Sequence, residues 1–162
     1  MKNLGVHTPL VGKKDGEGEE MDRLYVNFGL LNRKTIVDRY PLLIITELLR
    51  LFWGCRYYTI IDLKSAYWHV PVRKQDREKT AFKMASGHYQ FKVMLFGLNN
   101  VPVTFQRLMN DVLKDYFKKF TVVYLNDIII FFKYKKSHKR YVKKVLKKIR
   151  DARLKLKITK CQ

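Results

Sequence analysis

The sequence predicts an α+β fold, with antiparallel hairpins and helices sharing one core. Three observations lead there. Residues 80–93 alternate apolar and polar positions about a short Ser-Gly turn, as an antiparallel hairpin does. Residues 105–117 repeat apolar side chains at three- and four-residue spacing, as an amphipathic helix does. Strand-like and helix-like stretches are mixed along the chain. At 162 residues, 47% of them hydrophobic and 14% aromatic, the chain is long and apolar enough for one globular domain with a real core.

Each element has its own signal, taken here from the N-terminus. Residues 1–22 read as a loop, with Pro9 and the glycine- and charge-rich run "KKDGEGEEMD". "LYVNFGLLN", Leu24 to Asn32, reads as a short strand and a turn. In "RYPLLIITELLRLFWG", Pro41 sets an extended entry, Thr46 is placed to cap a short helix, and Gly54 ends it. Tyr58 to Ile61 have the aromatic and β-branched composition of a buried strand, which ends at Asp62. The hairpin at 80–93 comes next.

Asn100 is placed to cap the following helix, and Pro102 suits its first turn. Its stripe of Phe105, Leu108, Met109, Val112, Leu113, Tyr116 and Phe117 belongs in a core. "TVVYLNDIIIFFK" then supplies two strands, with Asn126 and Asp127 at or near the joining turn. Val142, Val145, Leu146 and Ile149 keep helical period. Leu154, Leu156 and Ile158 alternate with lysines, which predicts a final strand with one wet, basic face.

Charge is unevenly placed. The net charge is +20; residues 1–50 hold 8 Lys/Arg against 7 Asp/Glu, and residues 51–162 hold 26 against 7. Such an excess points to a polyanionic partner, most often nucleic acid, with a solvated basic face as the plainer alternative. Cys55 and Cys161 form neither metal-ligand spacing nor a disulfide framework, which fits a reducing, intracellular compartment. The first 18 residues lack the apolar core of a signal peptide, and no apolar run approaches the ~20 residues that span a bilayer. No membrane partner is expected.

Two apolar strands each end in a carboxylate, Asp62 and Asp127. A carboxylate among apolar neighbours costs several kcal/mol unless it is paired or held at a surface. If the two strands are neighbours, the carboxylates converge and repel unless a divalent cation sits between them. Hard oxygen ligands suit magnesium, and paired metals serve in-line phosphoryl transfer. The alternative is two strand-end acids paired with the many lysines.

Taken together, "KKDG", "RYPL", "IDLKSAYWHV", "KTAF", "GHYQFKVMLFGLNNVPVTFQRLMNDVL", "VVYLNDIIIF" and "LKLKITKC" resemble the reverse transcriptases of gypsy-type long-terminal-repeat retrotransposons. The resemblance runs from about Thr8 to Gln162. It implies the fingers and palm of a right-hand polymerase, with 1–36 and 70–100 as fingers and 37–69 and 101–162 as palm, and without a thumb. It implies RNA-directed DNA polymerisation, with a template-primer of RNA or DNA, a deoxynucleoside triphosphate, and two Mg²⁺ or Mn²⁺ ions.

Residue by residue, Asp62 matches the first metal-binding aspartate, and "YLND" matches the Tyr-x-Asp-Asp hairpin, making Asp127 the second. Lys13 and Arg23 match residues that hold the triphosphate. Tyr67 matches the aromatic that excludes a ribose 2′-hydroxyl. Phe96 and Gly97 match the patch under the incoming nucleotide. Pro102, Phe105, Gln106 and Tyr124 match positions beneath template and primer.

The sequence departs from that pattern where it matters. Asn126 stands in place of a metal-binding aspartate, so three acids become two. An amide offers one neutral oxygen where a carboxylate offers two and a charge. The metal site is therefore expected to be weakened and the polymerase impaired or inactive. The alternative function is a non-enzymatic, basic, nucleic-acid-binding remnant; a third is an interaction module. A palm without its last hairpin is also expected to leave a bare sheet edge and apolar surface, which a protein partner would cover.

Overall fold

The computed structural model describes residues 9–12, 23–41, 44–124 and 126–162. The chain divides into two compact units, 1–37 with 67–101, and 38–66 with 102–162. Of the expected leading loop, residues 1–8 and 13–22 lie outside the described residues, and Pro9–Gly12 form a strand instead.

In the first unit, β1 (Pro9–Gly12) pairs antiparallel with β2 (Arg23–Val26), Gly12 opposite Arg23. The strand expected at Leu24 is therefore present. The next element is a helix, α1 (Gly29–Lys34), where a turn was expected. The side-chain oxygen of Asn27 accepts the Gly29 N–H at 2.9 Å, a local bond that bends the chain into the helix. The expected hairpin is β4 (Phe82–Met84) with β5 (Gly87–Tyr89), but its turn is Ala85-Ser86 and Gly87 opens the second strand. The core joins Val26, Phe28 and Phe82, with Leu31, Phe91, Leu95 and Leu98 packed around them.

The second unit is built on a three-stranded antiparallel sheet, ordered β3 (Tyr57–Asp62), β7 (Asp127–Phe132), β6 (Thr121–Tyr124). Side chains directly opposite in such a sheet share a face. Ile60, Ile129 and Val122 therefore lie on one face with Phe131 and Tyr124, and Ile61, Ile128 and Val123 lie on the other. α2 (Ile45–Phe52) packs Leu48, Leu51 and Phe52 on the first face. Across the second face runs α4 (Lys135–Asp151), with Tyr141 against Phe132 and His138 against Thr59. α3 (Val101–Val112) and the turn after it bury Phe105, Met109 and Leu113 at 0% exposure, the apolar stripe read from spacing.

Three sequence expectations are corrected here. Thr46 does not cap α2: Ile44 is the cap residue and makes no side-chain bond, so Thr46 lies in the first turn. The helix of the apolar stripe stops at Val112; Leu113 to Tyr116 are turns, and Lys118 takes a positive φ of 59°. The final basic strand is absent. Arg153 turns the chain with φ 56°, Leu156 makes one isolated bridge to Leu63, and Ile158–Lys160 form a 3₁₀ turn with Ile158 82% exposed.

That last segment also alters the expectation of a bare edge. Lys157 N–H donates to the Asp62 carbonyl at 2.9 Å, and Gln162 and Ile60 exchange both backbone bonds. Residues 155–162 thus satisfy outward-facing groups of β3, so an edge expected to be open is partly closed by the chain itself. Separately, Ile45 and Leu49 of α2 and Trp53 just after it are each at least 61% exposed.

His138 is buried, and its Nε2 lies 2.8 Å from the Thr59 hydroxyl. Its Nδ1 has no partner among the described residues. Burial holds the imidazole below its ordinary pKa. The unfolded chain therefore takes up a proton near pH 6.5 that the native state refuses until lower pH. Stability is full above pH 6.5 and falls as pH drops below it. Urea unfolding at pH 7.5 and 5.5 is expected to show that loss in the wild type and a smaller one in His138→Gln; equal pH dependence would refute it.

Candidate active site

β3 and β7 end together. Asp62 is the last residue of β3 and Asp127 the first of β7, and the register sets them directly opposite one another. Opposed residues in an antiparallel pair have Cα atoms about 4.5–5.5 Å apart, with side chains on the same face. The sequence separation of the two aspartates is closed by pairing six residues on each strand. The β-branched run Ile128–Ile130 fixes the register, because a one-residue slip would turn its buried side chains outward.

The electrostatics match the geometry. Burial, and after it the neighbouring Asp62 carboxylate, hold Asp127 above the ordinary carboxylate pKa. No salt bridge to either aspartate is formed among the described residues. Among the described residues, then, no lysine or arginine neutralises these two strand-end acids.

Asn126 sits in the turn joining β6 to β7, with Tyr124 paired to Asp127. Its Oδ1 is buried and has no hydrogen-bond partner among the described residues. A buried, unpaired oxygen costs about 1–3 kcal/mol. Among the described residues no cluster of three His, Cys, Asp or Glu side chains forms. The two carboxylates are opposed across the strands, and Asn126 is the residue next to Asp127 in sequence.

Other residues singled out by sequence hold this corner together. Gln106 is buried, and its Nε2 donates to the Val123 carbonyl at 3.0 Å and to Asn110 Oδ1 at 3.1 Å, tying α3 to β6 just before the turn. Phe105 is fully buried and Pro102 half-buried. Any influence of Phe105 on a bound strand therefore passes through the position of α3. Tyr124 is half-buried against the cluster of Leu48, Val122 and Phe131.

The remaining candidates belong to the first unit. Tyr67 is buried, its ring 4.8 Å from that of Phe96, which is 48% exposed. Gly97 has φ 95°, a conformation strained for any side chain. Lys13 lies outside the described residues, and Arg23 is described only as backbone in β2. Sequence reasoning missed Asn32. Its Nδ2 donates to the Gly97 carbonyl at 2.7 Å and its Oδ1 accepts the Asn99 N–H at 3.0 Å, clamping the Phe96-Gly97 turn. A lone asparagine in a helical stretch gives no signal of that.

Residues 13–162 match the family model described as "Reverse transcriptase (RNA-dependent DNA polymerase)". The chain belongs to the reverse transcriptase family. It is 40% identical over 150 residues to the retrovirus-related Pol polyprotein from transposon 297 of Drosophila melanogaster, covering 93% of this chain and 14% of that polyprotein. It is 39% identical over 151 residues to the corresponding polyprotein from transposon gypsy of the same organism, covering 92% and 15%. The chain thus spans about one seventh of these relatives.

The fold is that of a reverse transcriptase. The prototype foamy virus protease-reverse transcriptase superimposes with a TM-score of 0.84 at 20% identity, over 97% of this chain and 20% of that one. The foamy viral enzyme in complex with double-stranded DNA gives 0.85 at 19% identity, over 99% and 28%. Among the described residues no helix is long and apolar enough to cross a membrane.

Proposed function

We propose that this chain is the fingers and palm portion of an RNA-directed DNA polymerase, with an active site weakened by Asn126. Residues 1–36 and 70–100 are assigned to fingers, and 37–69 and 101–162 to palm. The reaction is attack of a primer 3′-hydroxyl on the α-phosphate of a deoxynucleoside triphosphate, expelling pyrophosphate. The observation that carries this reading is the direct opposition of Asp62 and Asp127 at one sheet end.

The residues fit a divalent cation. Asp62 and Asp127 are opposed without a salt-bridge partner among the described residues, and the amide oxygen of Asn126, the residue before Asp127, is buried and unpartnered there. All are hard oxygen donors, which suits Mg²⁺ or Mn²⁺. Asp62 and Asp127 would hold the metal, with Asn126 as a neutral third ligand. Bound there, it supplies the positive charge that lowers a hydroxyl pKa and steadies a departing phosphate. Gln106 keeps the hairpin that carries Asn126 and Asp127 in place. By their match to the family pattern, Lys13 and Arg23 are assigned to the triphosphate, and Tyr67, Phe96 and Gly97 to the incoming nucleotide.

A template-primer is the partner. Relatives of this fold are seen with double-stranded DNA and with an RNA/DNA hybrid. The charge of this chain favours such a ligand and makes its binding steeply salt-dependent.

Primer extension on an RNA template with Mg²⁺ or Mn²⁺ is the test. Extension by the native chain that disappears in Asp62→Ala supports the proposal. Salt-sensitive template binding with no extension by either the native chain or Asn126→Asp favours the second reading, a nucleic-acid-binding remnant. In an extending background such as Asn126→Asp, Tyr67→Ala is expected to relax discrimination against ribonucleoside triphosphates by roughly tenfold. Unchanged discrimination would remove Tyr67 from that role.

A further inference from the structure

We propose that the second unit carries another nucleic-acid surface, a single-strand path away from Asp62 and Asp127 that begins at Trp53 and runs along α4. It does not rest on the nucleotidyl-transfer reading. The starting point is a 440 Å³ pocket with an apolar floor of Leu51, Cys55 and Phe131 and a rim of Lys118, Lys119 and Lys133. Trp53 also lines it, 89% exposed. The pocket lies at the Tyr57–Phe132 end of the β3–β7 pair, five residues or about 17 Å from the two aspartates.

The pocket leads into α4. Lys133 on its rim lies over the exposed Tyr134 ring at 5.7 Å, and α4 starts at the next residue. Phe120, beside Lys119, stacks on Tyr141 of α4 with ring centroids 3.9 Å apart. Arg140 extends over the same Tyr141 ring. Lys144, one turn further, comes next on that side.

The charge pattern of α4 needs a polyanion. Positions 135, 139, 143 and 147 are all basic, and so are 136, 140, 144 and 148. These are two rows at i,i+4 spacing, in which every neighbour repels. Among the described residues only Lys148 in these rows has an acidic partner, Asp115. A solvated helix gains nothing from such repulsion, whereas successive phosphates relieve it.

Two features choose single-stranded nucleic acid over a lipid surface. An exposed indole beside lysines offers a platform for an unpaired base. A membrane-bound helix needs an outward apolar face. On α4, which carries most of the path, Val145 and Ile149 are buried and Leu146, at 37%, is the only large apolar side chain among the exposed ones. Exposed Ile45 and Leu49 lie on α2, next to Trp53, and the vesicle arm of the test addresses them.

The test is anisotropy of a fluorescein-labelled oligo(dT) 12-mer with the 162-residue chain, titrated from low to moderate NaCl. Trp53→Ala, at a site too exposed to affect folding, is expected to weaken binding about tenfold, and Trp53→Tyr to restore most of it. Arg140→Glu with Lys144→Glu is expected to weaken it at least as much and to flatten the salt slope by about 1.4. Affinity unchanged in both variants would place all binding elsewhere and overturn the proposal. So would native protein that fails to bind at the lowest salt, or that binds phosphatidylserine vesicles through these residues and not the oligonucleotide. None of these results bears on extension, which tests the catalytic reading separately.

Discussion

Asn126→Asp is expected to raise metal-dependent primer extension at least about 100-fold over the native chain, which itself is expected to extend weakly or not at all. The argument is electrostatic. The native site holds two carboxylates and an amide whose oxygen is buried and unpartnered among the described residues. Replacing that amide by a carboxylate adds a second oxygen and a full negative charge where cations must be gripped. Removing a comparable charge-stabilising contact from an active site costs about 3–4 kcal/mol of barrier, or 10²–10³ in rate.

The same change carries a stability cost that can be read separately. Asp127 is held above the ordinary carboxylate pKa by partial desolvation and, after it, by the facing Asp62 carboxylate. A group with a raised native pKa contributes stability fully below the unfolded pKa, and that contribution is lost as pH rises through the native value. Metal-free protein should thus lose stability as pH climbs through that window, and Asn126→Asp, with a third charge, should lose more. Added Mg²⁺ or Mn²⁺ should raise the Tm of the variant by more than that of the native chain. Extension and Tm both indifferent to the substitution and to the cation would remove the metal site from this corner.

Much of this corner was legible in the sequence, and for a physical reason. A strand that finishes at Asp62 and a strand that starts at Asp127 can set those residues side by side only if they pair antiparallel in one register, and the β-branched runs enforce it. The stripe Phe105–Met109–Leu113 was legible because four-residue spacing puts side chains on one helix face. The final strand was misread because Leu154, Leu156 and Ile158 alternate like a strand, yet only Leu156 finds a bridging partner, at Leu63. Alternation shows what a strand could bury; it does not supply the neighbour. The cap at Thr46 failed similarly, since a cap depends on where the first helical bond closes. The Asn32 clamp on Gly97 links residues 65 apart in sequence, and no local pattern announces such a bond.

Phe105→Ala is expected to destabilise the protein by about 3–5 kcal/mol, the usual cost of emptying a phenylalanine site in a packed core. Phe105 is 0% exposed, and so are Met109 and Leu113 at the next two steps of the same stripe. The cavity is walled by other buried side chains and cannot fill with water favourably. Since a domain is stable by only about 5–15 kcal/mol, this one truncation takes a large share. Phe105→Leu keeps most of the volume and should cost about 1–1.5 kcal/mol. Pro102→Ala, at a half-buried position of the first turn, should cost less than about 1 kcal/mol. Urea unfolding of the three variants measures the order. Template affinity per folded molecule should stay near native in Phe105→Leu, because the ring has no surface to offer a nucleic acid. A variant whose stability holds while its template affinity falls would instead put Phe105 in contact with the strand, and the packing argument for this helix would fail with it.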